Sequence, residues 1–313
     1  MKMRTATITV PKAFLYEENP NISQSNDKTK IADQVLMGWM VGILEIRKDY
    51  LRVMTHYGYE GWLPAQAVDF PKNLSGKCQD ESRKDELENQ NTYVITSRFA
   101  DVMSIPSVQG IILCTLERGS FVQLLRDDEE KGYCLVQTAF GKQGYVPKIG
   151  INKRKDTNMF LTEEREFTDV SMLSSDLNTS EGEEKFRNAV IETAEGYLGT
   201  QYRWGGKSPE GIDCSGLAFM SYMLNGVLIY RDASIKDGYP IHEIPREMAK
   251  KGDLFFFPGH VAIYLGEGRF IHSTGFKKSF GCVINSFNPE DKDYREDLAN
   301  SITAAGSIFP LMQ

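Results

Sequence analysis

The feature that most constrains the fold of this chain is an internal repeat in its first half. The segment Tyr50–Pro64 aligns without a gap to the segment Tyr133–Pro147. The tyrosine, a valine, a threonine, two glycines and the proline coincide, and Trp62 of the first copy matches Tyr145 of the second. Each copy predicts a strand, a hairpin containing glycine, and a second strand that ends at proline. A supersecondary unit that occurs twice predicts two small β domains.

The second half of the chain has a different pattern, in which a helix comes first and strands follow. Ser180 and Glu183 form a capping-box pattern, and apolar residues then recur at helical spacing until Gly199. A second, buried helix is predicted over residues 217–224. Strand-like runs follow at residues 253–257, 260–265, 269–273 and 282–287. Helices followed by strands predict an α+β domain.

These patterns predict a multidomain chain, with two small all-β barrels followed by an α+β domain. We expect the first barrel at residues 1–75, the second barrel at residues 93–150 and the α+β domain at residues 183–313. Residues 76–92 are charged and are predicted to form a linker, and residues 151–182 a polar connector. A length of 313 residues is sufficient for three domains of this size.

A lone cysteine, Cys214, stands where the buried helix is predicted to begin. The positive end of a helix dipole favours the thiolate, which is the nucleophilic form of cysteine. The chain has four histidines, and two of them, His260 and His272, flank a strand-like run downstream of this cysteine. A cysteine on a helix, followed by histidines on strands, is the arrangement of a papain-like cysteine peptidase. The alternative for such residues is a buried structural cysteine and histidines that only pack.

The spacing of the two histidines predicts different roles for them. His260 lies on the opposite face of its strand from Val261, and we expect it to accept the Cys214 proton and then protonate the leaving amine. His272 ends the next strand, and adjacent antiparallel strands would bring the two imidazoles together. We expect His272 to orient His260. A metal site on Cys214, His260 and His272 lacks a carboxylate or second thiol at ligand spacing, so no metal or other cofactor is expected.

Several motifs of the second half together resemble the NlpC-type cell-wall cysteine peptidases. They are Trp204-Gly-Gly206, Asp213-Cys-Ser-Gly216, Gly252-Asp-Leu-Phe-Phe-Phe257 and the segment from His260 to His272. The resemblance covers about residues 183–313. The Gly-Trp-Leu-Pro-like ends of the two repeat copies resemble bacterial Src-homology-3-like barrels. The resemblance implies a papain-like domain that hydrolyses murein stem peptides, commonly at the bond that follows γ-D-glutamate.

The resemblance also implies a set of residues around the nucleophile. Tyr202 and the backbone N–H of Cys214 are the expected oxyanion donors. In relatives that cut stem peptides with a free N-terminal L-Ala, the residues matching Asp213 and Ser215 contact the substrate, and the aspartate pairs with its ammonium. Tyr59, in the first barrel, is the candidate aromatic for the same amine. The alternatives are helix capping for Asp213, packing for Tyr202 and a solvent-exposed hairpin tip for Tyr59.

The leading prediction is therefore a γ-D-glutamyl-L-diamino acid peptidase of the dipeptidyl-peptidase type, which releases L-Ala-γ-D-Glu during murein peptide recycling. One alternative is a cell-wall hydrolase that acts on intact stem peptides and uses its barrels as wall-binding modules. The other is a wall-binding protein whose peptidase domain is inactive. An intact set of Cys214, His260 and His272 argues against the second alternative.

Charge and cysteine usage narrow the partners and the compartment. The net charge of −7 is spread along the chain without a basic stripe, which argues against nucleic acid. No apolar run approaches the length of a membrane span, and the N-terminus lacks the apolar core of a secretory signal. Five cysteines without CxxC spacing argue against a disulfide framework. We expect a cytoplasmic protein, or an exported one if a signal was removed before this numbering begins.

Overall fold

The computed structural model of the protein describes residues 3–21, 30–69, 91–161, 177 and 179–310. The chain divides into two compact units, Met1–Glu164 and Arg165–Gln313. Most of the predicted linker at 76–92 lies outside the described residues, and so do residues 162–176 and 178 of the predicted connector. The domain boundaries set out above therefore stay predictions.

The first unit contains two seven-stranded antiparallel sheets. The first sheet has the strand order β3-β2-β6-β5-β4-β1-β7. Its strands are β1 (Arg4–Ile8), β2 (Lys12–Tyr16), β3 (Ile31–Leu36), β4 (Met40–Arg47), β5 (Tyr50–Thr55), β6 (Glu60–Pro64) and β7 (Val68–Asp69).

The second sheet repeats the topology of the first. Its strands are β8 (Thr92–Ile95), β9 (Phe99–Met103), β10 (Ile112–Glu117), β11 (Phe121–Asp128), β12 (Tyr133–Gln137), β13 (Gln143–Pro147) and β14 (Ile151–Lys153). Their order, β10-β9-β13-β12-β11-β8-β14, is that of the first sheet. The repeated segments form equivalent hairpins, in which Tyr50 lies opposite Pro64 and Tyr133 lies opposite Pro147. The prediction of two N-terminal β domains is confirmed.

The two sheets meet through one turn from each. Trp39 Nε1 donates a hydrogen bond to the Gly119 carbonyl at 2.7 Å, and the Phe121 N–H donates to the Met37 carbonyl at 2.8 Å. Gly38, between Met37 and Trp39, has a φ of +82°, and a Cβ at this position would overlap the Phe121 carbonyl. Only glycine fits this contact without strain.

The second unit begins with the predicted helix, α1 (Ser180–Glu195). Its N-cap is Thr179, whose hydroxyl accepts a hydrogen bond from the Gly182 N–H at 3.0 Å. The predicted capping box at Ser180 is therefore wrong by one residue, because the threonine before it makes the cap. Glu183 pairs instead with the Arg187 guanidinium, at 2.8 Å.

The rest of this unit is a six-stranded antiparallel sheet with a buried helix against it. Helix α2 (Cys214–Met223) packs on two strands of this sheet, His260–Gly266 and Arg269–Thr274. All residues of the helix are buried, as expected for a helix that is apolar on every side. The sheet order is β17-β22-β18-β19-β20-β21. The strands are β17 (His242–Ile244), β18 (Leu254–Phe257), β19 (His260–Gly266), β20 (Arg269–Thr274), β21 (Gly281–Ser286) and β22 (Ala304–Ser307).

Three short elements complete the second unit. A two-stranded ribbon, β15 (Lys207–Ser208) and β16 (Gly211–Ile212), precedes α2, and a short helix, α3 (Glu296–Ala299), precedes β22. The α+β prediction is confirmed, with the four predicted strand runs at β18 to β21. Over the described part of the chain, every helix is too short or too polar to cross a membrane.

Candidate active site

Cys214 is the first residue of α2, and its position is set by Asp213. The Asp213 side chain caps the helix by accepting a hydrogen bond from the Gly216 N–H at 2.6 Å. A Cβ on Gly216 would overlap the Gly206 carbonyl, so the glycine lets the preceding loop pack against the first turn. The thiol of Cys214 is buried, with 7% of the residue exposed.

Burial and the positive end of the helix dipole act in opposite directions on the Cys214 thiol. Burial raises the pKa of this thiol to about 11, and the negative charge of Asp213 adds to the rise. Backbone N–H groups of Val261 and Ser215 donate hydrogen bonds to the sulfur and act in the opposite direction, as does the charge of Arg231. Desolvation therefore acts against the helix dipole at this thiol, and the role of Cys214 as the nucleophile stays a prediction.

His260 and His272 are brought together by the antiparallel pairing of β19 and β20, in which Ile263 lies opposite Ile271. His260 Nε2 lies 2.7 Å from His272 Nδ1. His260 also directly precedes Val261, whose N–H contacts the Cys214 sulfur. The predicted proximity of the two imidazoles is thus present in the structure.

A third side chain, Asn285 on β21, extends this pair and was not found from the sequence. His272 Nε2 lies 2.9 Å from Asn285 Oδ1, and Asn285 Nδ2 donates to the Asp293 carbonyl at 3.0 Å. An amide inside an otherwise apolar strand was the available signal, because asparagine is depleted in strands.

The chain of hydrogen bonds fixes which nitrogens carry protons. A backbone carbonyl only accepts, so Asn285 presents its NH₂ to Asp293 and its oxygen to His272. His272 must then donate from Nε2 and accept at Nδ1, and His260 must donate from Nε2. In the neutral tautomer this leaves His260 Nδ1 as an unprotonated acceptor.

Both imidazoles are held neutral at ordinary pH. Burial lowers the pKa of His260 to about 4, and the nearby Arg295 charge contributes in the same direction. Burial lowers the pKa of His272 to about 3, with the His260 charge as the next cause. Burial therefore favours the neutral form of both imidazoles.

Tyr202 lies beside the nucleophile, where a parallel bridge joins it to Ile212. Burial raises the pKa of its hydroxyl, and a negative charge on Cys214 or Asp213 raises it further. The hydroxyl therefore stays protonated and can donate a hydrogen bond. Its predicted role as an oxyanion donor fits this property and stays a prediction.

Asp213 and Ser215 are engaged by a residue that the sequence did not single out, Arg231. Its guanidinium donates to both Asp213 carboxylate oxygens, at 3.2 and 3.0 Å, and to Ser215 Oγ at 2.6 Å. Asp213 Oδ2 also accepts from the Gly205 N–H at 2.7 Å. A substrate ammonium at Asp213 would therefore compete with a buried, charge-paired guanidinium.

A small pocket opens beside Ser215 and Val261. Its polar lining comes mainly from residues on either side of Arg231, namely Tyr230, Asp232, Ser234, Lys236 and Tyr239. Tyr59, by contrast, belongs to the other compact unit, in the hairpin between β5 and β6. It is partly exposed, its N–H donates to Thr55 Oγ1 at 2.9 Å, and its predicted role in amine binding stays a prediction.

Metal binding was the alternative reading of the cysteine and the histidines. Among the residues that the structure describes, no group of three His, Cys, Asp or Glu side chains is arranged to hold a metal ion. The roles of Cys214 as nucleophile, His260 as base and His272 as orienting residue stay predictions.

Comparison with known proteins agrees with this chemistry. The model of the NlpC/P60 family matches residues 199–288, which include Cys214, His260, His272 and Asn285. The chain is 37% identical to a Lysinibacillus sphaericus protein named dipeptidyl-peptidase 6, over 90% of this chain and 93% of that protein. It is 24% identical to a Bacillus cereus protein named gamma-D-glutamyl-L-lysine dipeptidyl-peptidase, over 86% and 74% of the two chains.

The fold has a solved counterpart along its whole length. The crystal structure of a Bacillus cereus NlpC/P60 family protein superposes with a TM-score of 0.69, covering 98% of this chain and 100% of that one at 20% identity. This likeness shows that the order of β domains and papain-like domain is shared. On the family match and the near full-length relative, the chain belongs to the NlpC/P60 family and is a cysteine peptidase.

Proposed function

We propose that the protein hydrolyses the γ-D-glutamyl-diamino acid bond of murein stem peptides that carry a free N-terminal L-Ala, releasing L-Ala-γ-D-Glu. The names of the two relatives that align over most of the chain, a dipeptidyl-peptidase and a gamma-D-glutamyl-L-lysine dipeptidyl-peptidase, support this bond and this product length. The structural observation behind the chemistry is the contact of the Val261 N–H with the Cys214 sulfur, since it places the thiol next to the residue that begins the histidine chain.

The reaction begins with transfer of the Cys214 proton to His260 Nδ1 as the sulfur attacks the γ-carbonyl carbon of D-glutamate. His260 Nδ1 is the proposed acceptor because the hydrogen-bond chain leaves its lone pair free. The imidazolium then protonates the nitrogen of the diamino acid, the C–N bond breaks, and a thioester remains on Cys214. His260 then deprotonates a water molecule, which attacks the thioester carbonyl. The departing sulfur takes this proton from His260 and becomes the thiol again.

His272 and Asn285 support this transfer by orientation. When His260 is protonated, its Nε2–H donates to the His272 lone pair at 2.7 Å, while Asn285 holds the His272 tautomer. The oxyanion of each tetrahedral intermediate would accept from the Cys214 N–H, which has no partner within its own helix, and from the Tyr202 hydroxyl.

Recognition of the dipeptide end is assigned to the surroundings of Ser215. The pocket beside it is lined by Asp232, Lys236 and several hydroxyl groups, and of these the Asp232 carboxylate suits a substrate ammonium. Asp213, Ser215 and Tyr59 remain proposed substrate contacts. Asp213 would contact the substrate while paired with the Arg231 guanidinium.

The decisive experiment compares L-Ala-γ-D-Glu-diaminopimelate with its N-acetylated form, followed by mass spectrometry of the products. Release of L-Ala-γ-D-Glu from the free amine alone supports the proposal. Equal cleavage of both substrates favours the alternative, a hydrolase that acts on intact stem peptides. One relative has a name that fits this alternative. The chain is 38% identical to a Bacillus subtilis protein named bifunctional muramidase/DL-endopeptidase, over 30% of this chain and 31% of that protein.

The proposed setting is peptide recycling in the cytoplasm. The four described cysteines, Cys114, Cys134, Cys214 and Cys282, are free thiols, which is the state expected in a reducing compartment. Cell fractionation followed by immunodetection tests this placement, and recovery in the wall fraction would contradict it.

A further inference from the structure

Asp213 has two opposing effects on the start of α2. Asp213 caps α2, since its oxygens accept hydrogen bonds from the Gly216 and Gly205 N–H groups. Its negative charge nevertheless opposes ionisation of the adjacent Cys214, whose sulfur must become negative during attack. A site built in this way needs a nearby positive charge.

Arg231 supplies that charge from the segment that follows α2. Its residue is 2% exposed, and its two Nη atoms pair with the two oxygens of Asp213 in a fork geometry. The same Nη1 atom donates to Ser215 Oγ at 2.6 Å, so one guanidinium holds both neighbours of Cys214.

We propose that Arg231 is a positioning residue, which neutralises Asp213 and holds Asp213 and Ser215 in place so that Cys214 can react. It does not touch the sulfur in the contacts described above and acts through its neighbours. This role goes beyond the proposed substrate, because it concerns the reactivity of the thiol itself.

The other ionisable groups around the thiol do not replace this function. Tyr202 faces the thiol from the segment before α2, and a negative sulfur raises the pKa of its hydroxyl. His260, on the neighbouring strand, is neutral at ordinary pH because burial lowers its pKa to about 4. Arg231 is the cation whose charge lowers the pKa of the Cys214 thiol.

Alkylation of Cys214 by iodoacetamide tests the proposal without any murein substrate. The full chain is treated across pH 6 to 10, and carboxamidomethylation of the Cys214 peptide is timed by mass spectrometry. The pH at which a variant reaches the rate of the wild type at pH 7.5 serves as its alkylation midpoint. In R231M, an uncompensated Asp213 should slow alkylation at pH 7.5 by about tenfold, equivalent to a rise of roughly one pKa unit. In the R231M/D213N double variant, the rate should return towards that of the wild type.

Two further variants keep the result interpretable. R231K retains the charge but not the fork, and should keep the pH midpoint of alkylation near that of the wild type while kcat falls. D213N alone leaves the arginine charge uncompensated and should move the midpoint down. This variant therefore tests the proposal even if R231M does not fold. Unchanged midpoints in D213N and in folded R231M would overturn the proposal and leave Arg231 a purely structural ion pair. A failed substrate assay with these midpoint shifts intact would count against the proposed function alone.

Discussion

His260 Nε2 lies 2.7 Å from His272 Nδ1, and this contact fixes which nitrogens of the two imidazoles carry protons. Because Asn285 can only present its oxygen to His272, the shared proton belongs to His260 Nε2. The free lone pair of His260 is then at Nδ1, the atom proposed to take the Cys214 proton.

Cys214→Ala should abolish turnover while preserving the fold. The substitution removes only the sulfur at the start of α2 and leaves the Asp213 cap to the Gly216 N–H intact. Circular dichroism checks the fold, and a chromatographic assay of the free-amine tripeptide measures turnover. Residual hydrolysis by the purified variant would require another nucleophile. Cys282→Ala, which changes a buried cysteine on β21, is the matched control.

Substitutions along the histidine chain should follow an order. His260→Ala removes the base and should lower kcat by about 10³ or more, whereas His272→Ala should cost about 10²–10³. Asn285→Ala leaves both imidazoles and should cost less than His272→Ala, while Asn285→Asp should raise the pH at which activity is half-maximal, because a carboxylate stabilises the imidazolium. A near wild-type kcat for His260→Ala would move the base to another residue.

Stability should fall as the pH drops from 6.5 to about 4. Burial lowers the pKa of His260 to about 4, so in this window the unfolded chain binds a proton that the folded chain does not. The free energy of unfolding should decrease by about 3 kcal/mol for one such histidine, and the stability is regained as the pH rises. Urea unfolding at pH 7 and 4.5 measures the loss.

The histidine pair can be separated from other groups by two variants. His260→Gln should make the stability of the second unit less dependent on pH across this window. His242→Gln, at an exposed histidine on β17, should leave the dependence of the wild type unchanged. Equal slopes for wild type and His260→Gln would show that folding does not lower the pKa of this imidazole.

Acetylation of the substrate amine should lower kcat/KM by about two to four powers of ten. Losing one partner of a buried charge pair costs about 3–5 kcal/mol, which corresponds to this factor. Tyr59→Ala should reduce the preference for the free amine if the first β domain contributes to the site. Lys142→Ala, at the equivalent hairpin position of the second sheet, is the control that should leave the preference unchanged.

Gly38→Ala should destabilise the first unit more than Gly141→Ala. Both glycines have positive φ, +82° and +84°, so each alanine pays a similar backbone strain of about 1–3 kcal/mol. A Cβ at position 38 also overlaps the Phe121 carbonyl, whereas nothing lies within 4 Å of one at position 141. Thermal unfolding of the two variants isolates the steric part, and equal Tm values would contradict the described contact between the turns.

The sequence determined the parts of this protein that rest on local patterns. The repeat specified two hairpins of the same register, because glycine and proline positions restrict where strands turn and end. Asp213 before Cys214 specified the start of α2, since a capping carboxylate satisfies N–H groups of the first turn. Apolar alternation around His260 and His272 specified adjacent strands, and the nucleophile and both imidazoles followed from these placements.

Only the tertiary structure decided what surrounds these groups. Asn285 and Arg231 reach the site from β21 and from the segment after α2, and neither is near its partner in sequence. Burial also depends on packing, and it raises the pKa of Cys214, against the trend expected from the helix dipole, and lowers the pKa of His260. Desolvation and ion pairing depend on how distant segments pack, so a local pattern specifies which residues carry the chemistry but not the charge states in which they do so.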